Sequence, residues 1–158
     1  MLVRFRLNGQ IVEDQAAPNG SLLDFLRDRL EMTSVKKGCD EGQCGACTVL
    51  LNGKPVCSCL MLAVQVRGAE VTTIEGLSKP GELSVVQRAF LEKNGYQCGF
   101  CTPGMMLAAT ALLDQNPDPS IEDIKEALEG NLCRCTGYEQ IIESVSRAAE
   151  MMKTSAGE

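Results

Sequence analysis

The sequence contains no histidine and no tryptophan among its 158 residues, and aromatic residues make up only 4%. Without histidine there can be no Cys₂His₂ zinc finger, no Rieske centre, no c-type haem ligation and no Ser-His or Cys-His nucleophile. General acid–base chemistry near neutral pH also lacks its usual residue. The shortage of aromatics leaves little for stacking on nucleic-acid bases. Positive charge is scarce as well: 15 Lys and Arg against 21 Asp and Glu give a net charge of −6. An acidic surface repels phosphate backbones, so nucleic acid is not an expected partner. No apolar run reaches the length of a membrane span. The opening residues, Met1-Leu2-Val3-Arg4-Phe5-Arg6, show neither a signal-peptide layout nor a twin-arginine pair.

What the chain does have is nine cysteines. A chain of this length is one ordinary domain or two small ones and can fold without covalent staples. An odd number of cysteines fits poorly with a closed disulfide framework. The expected compartment is the cytoplasm, where thiols stay reduced. The cysteines therefore point to metal ligation or redox chemistry.

In the first half, Val3, Phe5 and Leu7 alternate with Arg4 and Arg6, a strand pattern. Asn8-Gly9 offers a tight hairpin turn, with Gln10 to Asp14 as the return strand. Ser21 can cap a helix whose apolar stripe is Leu22, Leu23, Leu26 and Leu30, with Asp24 in its first turn. Val49 to Leu51 before Asn52-Gly53 suggest a second hairpin, and Glu70 to Ile74 a last strand. This is a small α+β pattern.

Between helix and second hairpin lie Cys39, Cys44 and Cys47, spaced C-x₄-C-x₂-C as in plant-type [2Fe–2S] ferredoxins, which need a fourth, more distant cysteine. Gly38, Gly42 and Gly45 let the loop curl and turn backbone N–H groups toward sulfur, and Lys36 and Lys37 bring positive charge nearby. A two-residue turn at Asn52-Gly53 places Ser58 opposite Cys47, with Cys57 and Cys59 on either side. The spacing does not choose between those two as the fourth ligand; the other is expected to be a small buried hydrophobe.

From Ser78-Lys79-Pro80-Gly81 the pattern changes. Four helices are expected, carrying Val85, Val86, Ala89, Phe90 and Leu91; Met105, Leu107, Ala108, Ala111 and Leu112; a segment from Ser120 to Gly130; and Ile141, Ile142, Val145 and Ala149, ending near Met152. This half holds Cys98 and Cys101 as C-x₂-C, then Cys133 and Cys135 as C-x-C. Thr102-Pro103 and Thr136-Gly137 read as helix starts, so two helix N-termini are expected to face one anionic site, with Arg134 adding positive charge. On these residues alone, a structural Cys₄ zinc site competes with an iron–sulfur cluster.

Taken together, four segments closely resemble the small iron–sulfur subunit of the molybdenum hydroxylases, the xanthine oxidase family. They are Gly38-Cys39-x₄-Cys44-Gly45-Ala46-Cys47, Val56-Cys57-Ser58-Cys59-Leu60, Gln97-Cys98-Gly99-Phe100-Cys101-Thr102-Pro103-Gly104-Met105, and Gly130-Asn131-Leu132-Cys133-Arg134-Cys135-Thr136-Gly137-Tyr138. The family includes bacterial aldehyde, purine, N-heterocycle and carbon monoxide dehydrogenases and 4-hydroxybenzoyl-CoA reductase.

The resemblance implies an α+β architecture: an N-terminal β-grasp ferredoxin domain over residues 1–76, a linker at 77–82, a four-helix domain over 83–153 and a tail at 154–158. Each domain holds one [2Fe–2S] cluster. The ligands so implied are Cys39, Cys44, Cys47 and Cys59 in the first, and Cys98, Cys101, Cys133 and Cys135 in the second, leaving Cys57 spare. Gln97 and the backbone near Cys135 are implied to contact a molybdenum–pterin cofactor on a large subunit. The chain would relay electrons between that centre and FAD on a medium subunit, within a dimer of heterotrimers, with no substrate chemistry of its own. The alternatives are a stand-alone ferredoxin-type carrier and a zinc-stabilised interaction module.

Overall fold

The computed structural model describes residues 1–156. Strands β1 (Leu2–Leu7) and β2 (Gln10–Gln15) form the expected antiparallel hairpin, with Val3, Phe5 and Leu7 buried on one face. Asn8 and Gly9 both take positive φ at its turn, as a tight two-residue hairpin requires. The second hairpin repeats the device at Asn52 and Gly53, joining β3 (Thr48–Leu51) to β4 (Lys54–Cys57). Strand β5 (Glu70–Thr72) lies parallel to β1 and antiparallel to β3, which completes a mixed sheet in the order β2-β1-β5-β3-β4. It stops at Thr72 rather than Ile74, because Ile74–Leu77 winds into a 3₁₀ turn.

Ser21 caps the helical segment α1 (Leu22–Asp24), accepting from the Asp24 N–H, as its position suggested. The segment then widens into a π turn over Phe25–Arg29, with the Leu30 N–H reaching back to the Phe25 carbonyl. The extra residue in that turn shifts the side chains that follow Phe25 around the helix axis. Leu22, Leu23 and Leu26 are joined in the core by Phe25, whose ring sits 6.2 Å from that of Phe5, while Leu30 is only partly buried.

The second half contains α2 (Val85–Glu92), α3 (Thr102–Gln115), α4 (Ile121–Leu128) and α5 (Glu139–Ala156) around a separate core of Phe90, Met105, Ile124, Ile141 and Val145. Ser84 and Ser120 start α2 and α4 with reciprocal capping boxes. Two expectations need correction here. Leu91 is not part of the buried stripe but lies 54% exposed. The loose tail expected from Thr154 is helical through Ala156, with Lys153 paired to Asp118 at 2.5 Å; residues 157–158 lie outside the described residues.

Helix α3 is buried on opposite faces because it serves both halves. One face enters the helical core; the other sets Leu107 and Ala111 against Leu50 of β3, with Leu77 alongside. This contact presses the two cysteine-bearing ends of the halves together. No helix among the described residues is long and apolar enough to cross a membrane.

Candidate metal centres

The loop between α1 and β3 brings Cys39, Cys44 and Cys47 together, and the β3–β4 pairing adds Cys57 and Cys59. The register sets Thr48 opposite Cys57, so Ser58 falls opposite Cys47 as the turn predicted; both the Ser58 N–H and hydroxyl donate to the Cys47 carbonyl, at 3.3 and 2.7 Å. Backbone N–H groups point at sulfur throughout the loop. Cys39 Sγ accepts from Gln43 and Cys44 at 3.3 Å and from Glu41 at 3.5 Å, while Cys44 Sγ accepts from the Cys39 N–H at 3.3 Å. These donors, first that of Glu41 and then that of Cys44, draw the Cys39 thiol down to about 7. Gly38 is required at its place: a Cβ there would lie 2.7 Å from Cys44 Sγ.

Cys57 and Cys59 differ in the sense of their bonds. The Gly42 N–H donates to Cys59 Sγ, whereas Cys57 Sγ donates its own hydrogen to the Gly42 carbonyl at 3.7 Å. Both side chains also contact Cys47. Loss of hydration, followed by the neighbouring Cys47, pushes the Cys59 thiol up to about 12.

At the other site, Cys98 and Cys101 bracket the turn into α3, and Cys133 and Cys135 sit in the loop before α5. Cys98 meets Cys135, and Cys101 meets Cys133. Burial, followed by Cys133, pushes the Cys101 thiol up to about 12. Burial works against ionisation of Cys133, yet the Thr136 hydroxyl and N–H, at 3.1 and 3.4 Å from its sulfur, outweigh it and lower the thiol's pKa. Among the described residues no three His, Cys, Asp or Glu side chains share one point as ligands of a single ion; the thiols of this second site meet in two pairs.

The surroundings differ from the sequence reading in three respects. Cys101, not Thr102, occupies the N-cap of α3, which places the Thr102 hydroxyl in the first turn, buried without a partner. Helix α5 begins only at Glu139, after Tyr138 in a left-handed conformation, so the second pair of thiols is served by loop N–H groups and not by a helix end. Lys37 is turned away from the thiols to Asp24 and Asp40, at 2.9 and 3.0 Å, and Lys36 to the Thr33 carbonyl. Gln97 and Arg134 are exposed. Apolar Leu60, Phe100 and Leu132, each next to a cysteine, also face solvent.

Sequence reasoning missed the bonds that stitch the two sites together. The Leu132 N–H donates to the Cys44 carbonyl at 2.9 Å, and buried Asn131 donates to the Gly45 carbonyl at 3.0 Å and to the Thr48 hydroxyl at 3.1 Å. No local sequence pattern pointed to them.

Known proteins agree with this architecture. Residues 5–72 match the 2Fe-2S iron-sulfur cluster binding domain, and residues 73–146 the [2Fe-2S] binding domain. The nicotinate dehydrogenase small FeS subunit of Eubacterium barkeri is 51% identical over 148 residues, covering 94% of each chain. Quinoline 2-oxidoreductase from Pseudomonas putida 86 contains a chain that superposes with a TM-score of 0.93 at 42% identity, covering 98% of this chain and 96% of that one. Aldehyde oxidoreductase from Desulfovibrio desulfuricans superposes with a TM-score of 0.94 at 43% identity over 97% of this chain, which spans 17% of that longer one. With two [2Fe–2S] domains in tandem and these relatives along nearly its whole length, the chain belongs to the small iron–sulfur subunits of the molybdenum hydroxylases, the xanthine oxidase family.

Proposed function

We propose that this chain relays single electrons between a molybdenum–pterin centre on a large subunit and FAD on a medium subunit, in a dimer of heterotrimers. The carrying observation is the meeting of thiols: Cys39 with Cys44, Cys47 with Cys59 as well as with Cys57, Cys98 with Cys135, and Cys101 with Cys133. A [2Fe–2S] cluster distributes four thiolates over two irons, two to each. The four pairs without Cys57 are our ligand assignment, and the donor set fits the group. Bound clusters supply the one-electron redox capacity; the chain supplies the thiolates and the N–H donors that stabilise their negative charge.

Cys59 is favoured over Cys57 because it accepts a backbone N–H, as a thiolate does, whereas Cys57 donates. Gln97 is assigned to the pterin cofactor: it is exposed beside Cys98 and free to reach across a subunit boundary, with the backbone near Cys135 as a second contact. We divide the chain into residues 1–76, a linker at 77–82 and residues 83–153. Eight cysteines that must stay reduced to take up iron favour the cytoplasm.

Anaerobic purification of the complex tests this reading. The expected result is four irons per copy of this chain, with two larger chains co-purifying. Two irons with stoichiometric zinc, or a lone chain with both clusters open to solvent, overturns it.

A further inference from the structure

The two cysteine sites are joined by one backbone hydrogen bond. It runs from the Leu132 N–H to the Cys44 carbonyl, at 2.9 Å. Cys44 belongs to one set of ligands, and Leu132 is the covalent neighbour of Cys133 in the other. A continuous path therefore leads from Cys44 Sγ through its own backbone carbonyl, over the hydrogen bond, and along the Leu132 peptide to Cys133 Sγ.

This contact is held by Asn131. The residue is only 6% exposed, and its amide Nδ2 gives one hydrogen to the Gly45 carbonyl and the other to the Thr48 hydroxyl, at 3.0 and 3.1 Å. The Thr48 hydroxyl in turn donates to the same Gly45 carbonyl at 2.6 Å. Every polar atom in this junction on the Gly45 side is thus paired, which a buried polar cluster needs to be stable. The backbones approach so closely that a Cβ on Gly104 would lie 2.7 Å from the Gly45 oxygen, and one on Gly45 would run into the Gly130 carbonyl. Phe100 adds a second approach, its ring edge 3.7 Å from where a Gly38 Cβ would be.

We infer that Asn131 is a positioning residue for electron exchange between the two sites: by clamping Gly45, it holds the Leu132 amide on the Cys44 carbonyl. The inference rests on the two-cluster reading above. The step moves one electron. Bound clusters would supply both the donor and the acceptor of that electron, while the chain's own groups would break no covalent bond and move no proton. A bridge anchored by the buried Asn131–Gly45–Thr48 cluster holds the separation and contact of the two donor sets constant while the electron crosses.

Pulse radiolysis of the full chain carrying both clusters tests it. One electron per molecule is injected, and its redistribution between the clusters is followed by absorbance. Asn131→Ala is expected to keep four irons and both midpoint potentials while slowing redistribution about tenfold, the scale on which partners behind metal ligands act. Unchanged redistribution with four irons bound overturns the assignment. If Asn131→Ala sheds iron, Thr48→Val removes only one of the two anchors and is read in the same way. Failure of the unmodified chain to hold four irons overturns the relay reading instead, so the two failures are distinguishable.

Discussion

Gly42 meets Cys57 with its carbonyl and Cys59 with its N–H: the Cys57 thiol donates to the first at 3.7 Å, and Cys59 Sγ accepts from the second. One peptide segment thus accepts a hydrogen from one sulfur and offers its own to the other, the sense of contact that a bound thiolate would use. Cys59→Ser is expected to lose the N-terminal cluster and two irons per chain. Cys57→Ser should retain four irons and both signals in EPR of the reduced protein, since serine can donate to the same carbonyl. The opposite result would make Cys57 the ligand.

Thr136 tunes the other site. Its Oγ1 accepts from the Tyr138 N–H at 3.2 Å and lies 3.1 Å from Cys133 Sγ, to which it can donate once that sulfur is a thiolate. A hydrogen bond to a ligand sulfur stabilises the more negative, reduced state. Thr136→Val keeps the shape and deletes that bond. The helical-domain cluster should become harder to reduce, its potential falling by an amount on the order of tens of millivolts, while the other cluster's stays put. Redox titration monitored by EPR separates the two; a shift shared equally by both clusters would contradict the assignment.

Which of these features could be read in the chain beforehand depended on the range of the interaction. The alternation of Val3, Phe5 and Leu7, the two Asn-Gly turns and the Ser120 capping box are local, and all appear as expected. The turn length even gave the Ser58–Cys47 register. The π turn over Phe25–Arg29 was not legible, because the apolar stripe fits an ordinary α-helix equally well. Helix α5 runs past its apolar stripe, where Lys153 pairs with Asp118, a partner far away in the sequence. The choice between Cys57 and Cys59 turns on which way Gly42 presents its peptide groups, and spacing carries no such information. The junction at Asn131 depends on docking of the two domains and left no local pattern.

Gly45 should be the least substitutable glycine at that junction. Its φ is +67°, and a Cβ would clash with the Gly130 carbonyl and lie 2.8 Å from Asn131 Nδ2. Gly68, with φ +76°, has nothing within 4 Å of the same position. Gly68→Ala therefore suffers backbone strain alone, roughly 1–2 kcal/mol, and Gly45→Ala suffers that strain plus separation of the domains. Thermal unfolding should rank Gly45→Ala well below Gly68→Ala, and limited proteolysis should cut Gly45→Ala between the halves. Equal stabilities would show that the junction yields easily.

Ser120 allows the local contribution to be measured away from both cysteine sites. Its side chain accepts from the Asp123 N–H at 3.1 Å, and Asp123 returns the contact to the Ser120 N–H at 2.8 Å. Those bonds hold the Asp123 carboxyl below its usual pKa, chiefly through the Ser120 backbone and then its hydroxyl. Ser120→Ala should cost about 1 kcal/mol of stability, read by denaturant unfolding, with iron content unchanged. A depressed carboxylate pKa adds stability above its unfolded value and loses it as pH falls through the folded one. Only the bond from the Ser120 hydroxyl to the Asp123 carboxylate titrates among those that Ser120→Ala removes, so the gap between the variant and the unmodified chain should narrow in part, not close, below the ordinary carboxylate range.

Gln97 is the residue whose role lies wholly outside this chain. It is exposed beside Cys98, so nothing in the helical core depends on its amide. Gln97→Ala should then leave four irons, both reduced EPR signals and the unfolding midpoint unchanged. If Gln97 reaches the pterin cofactor, the complex assembled with the variant should retain less molybdenum–pterin and pass electrons to the clusters more slowly. Both effects come from loss of an amide that can donate and accept at once. Gln97→Glu keeps the length and the acceptor but loses the donor, so it should fall between the two. A complex indistinguishable from the unmodified one in pterin content and in cluster reduction would make Gln97 an ordinary surface residue.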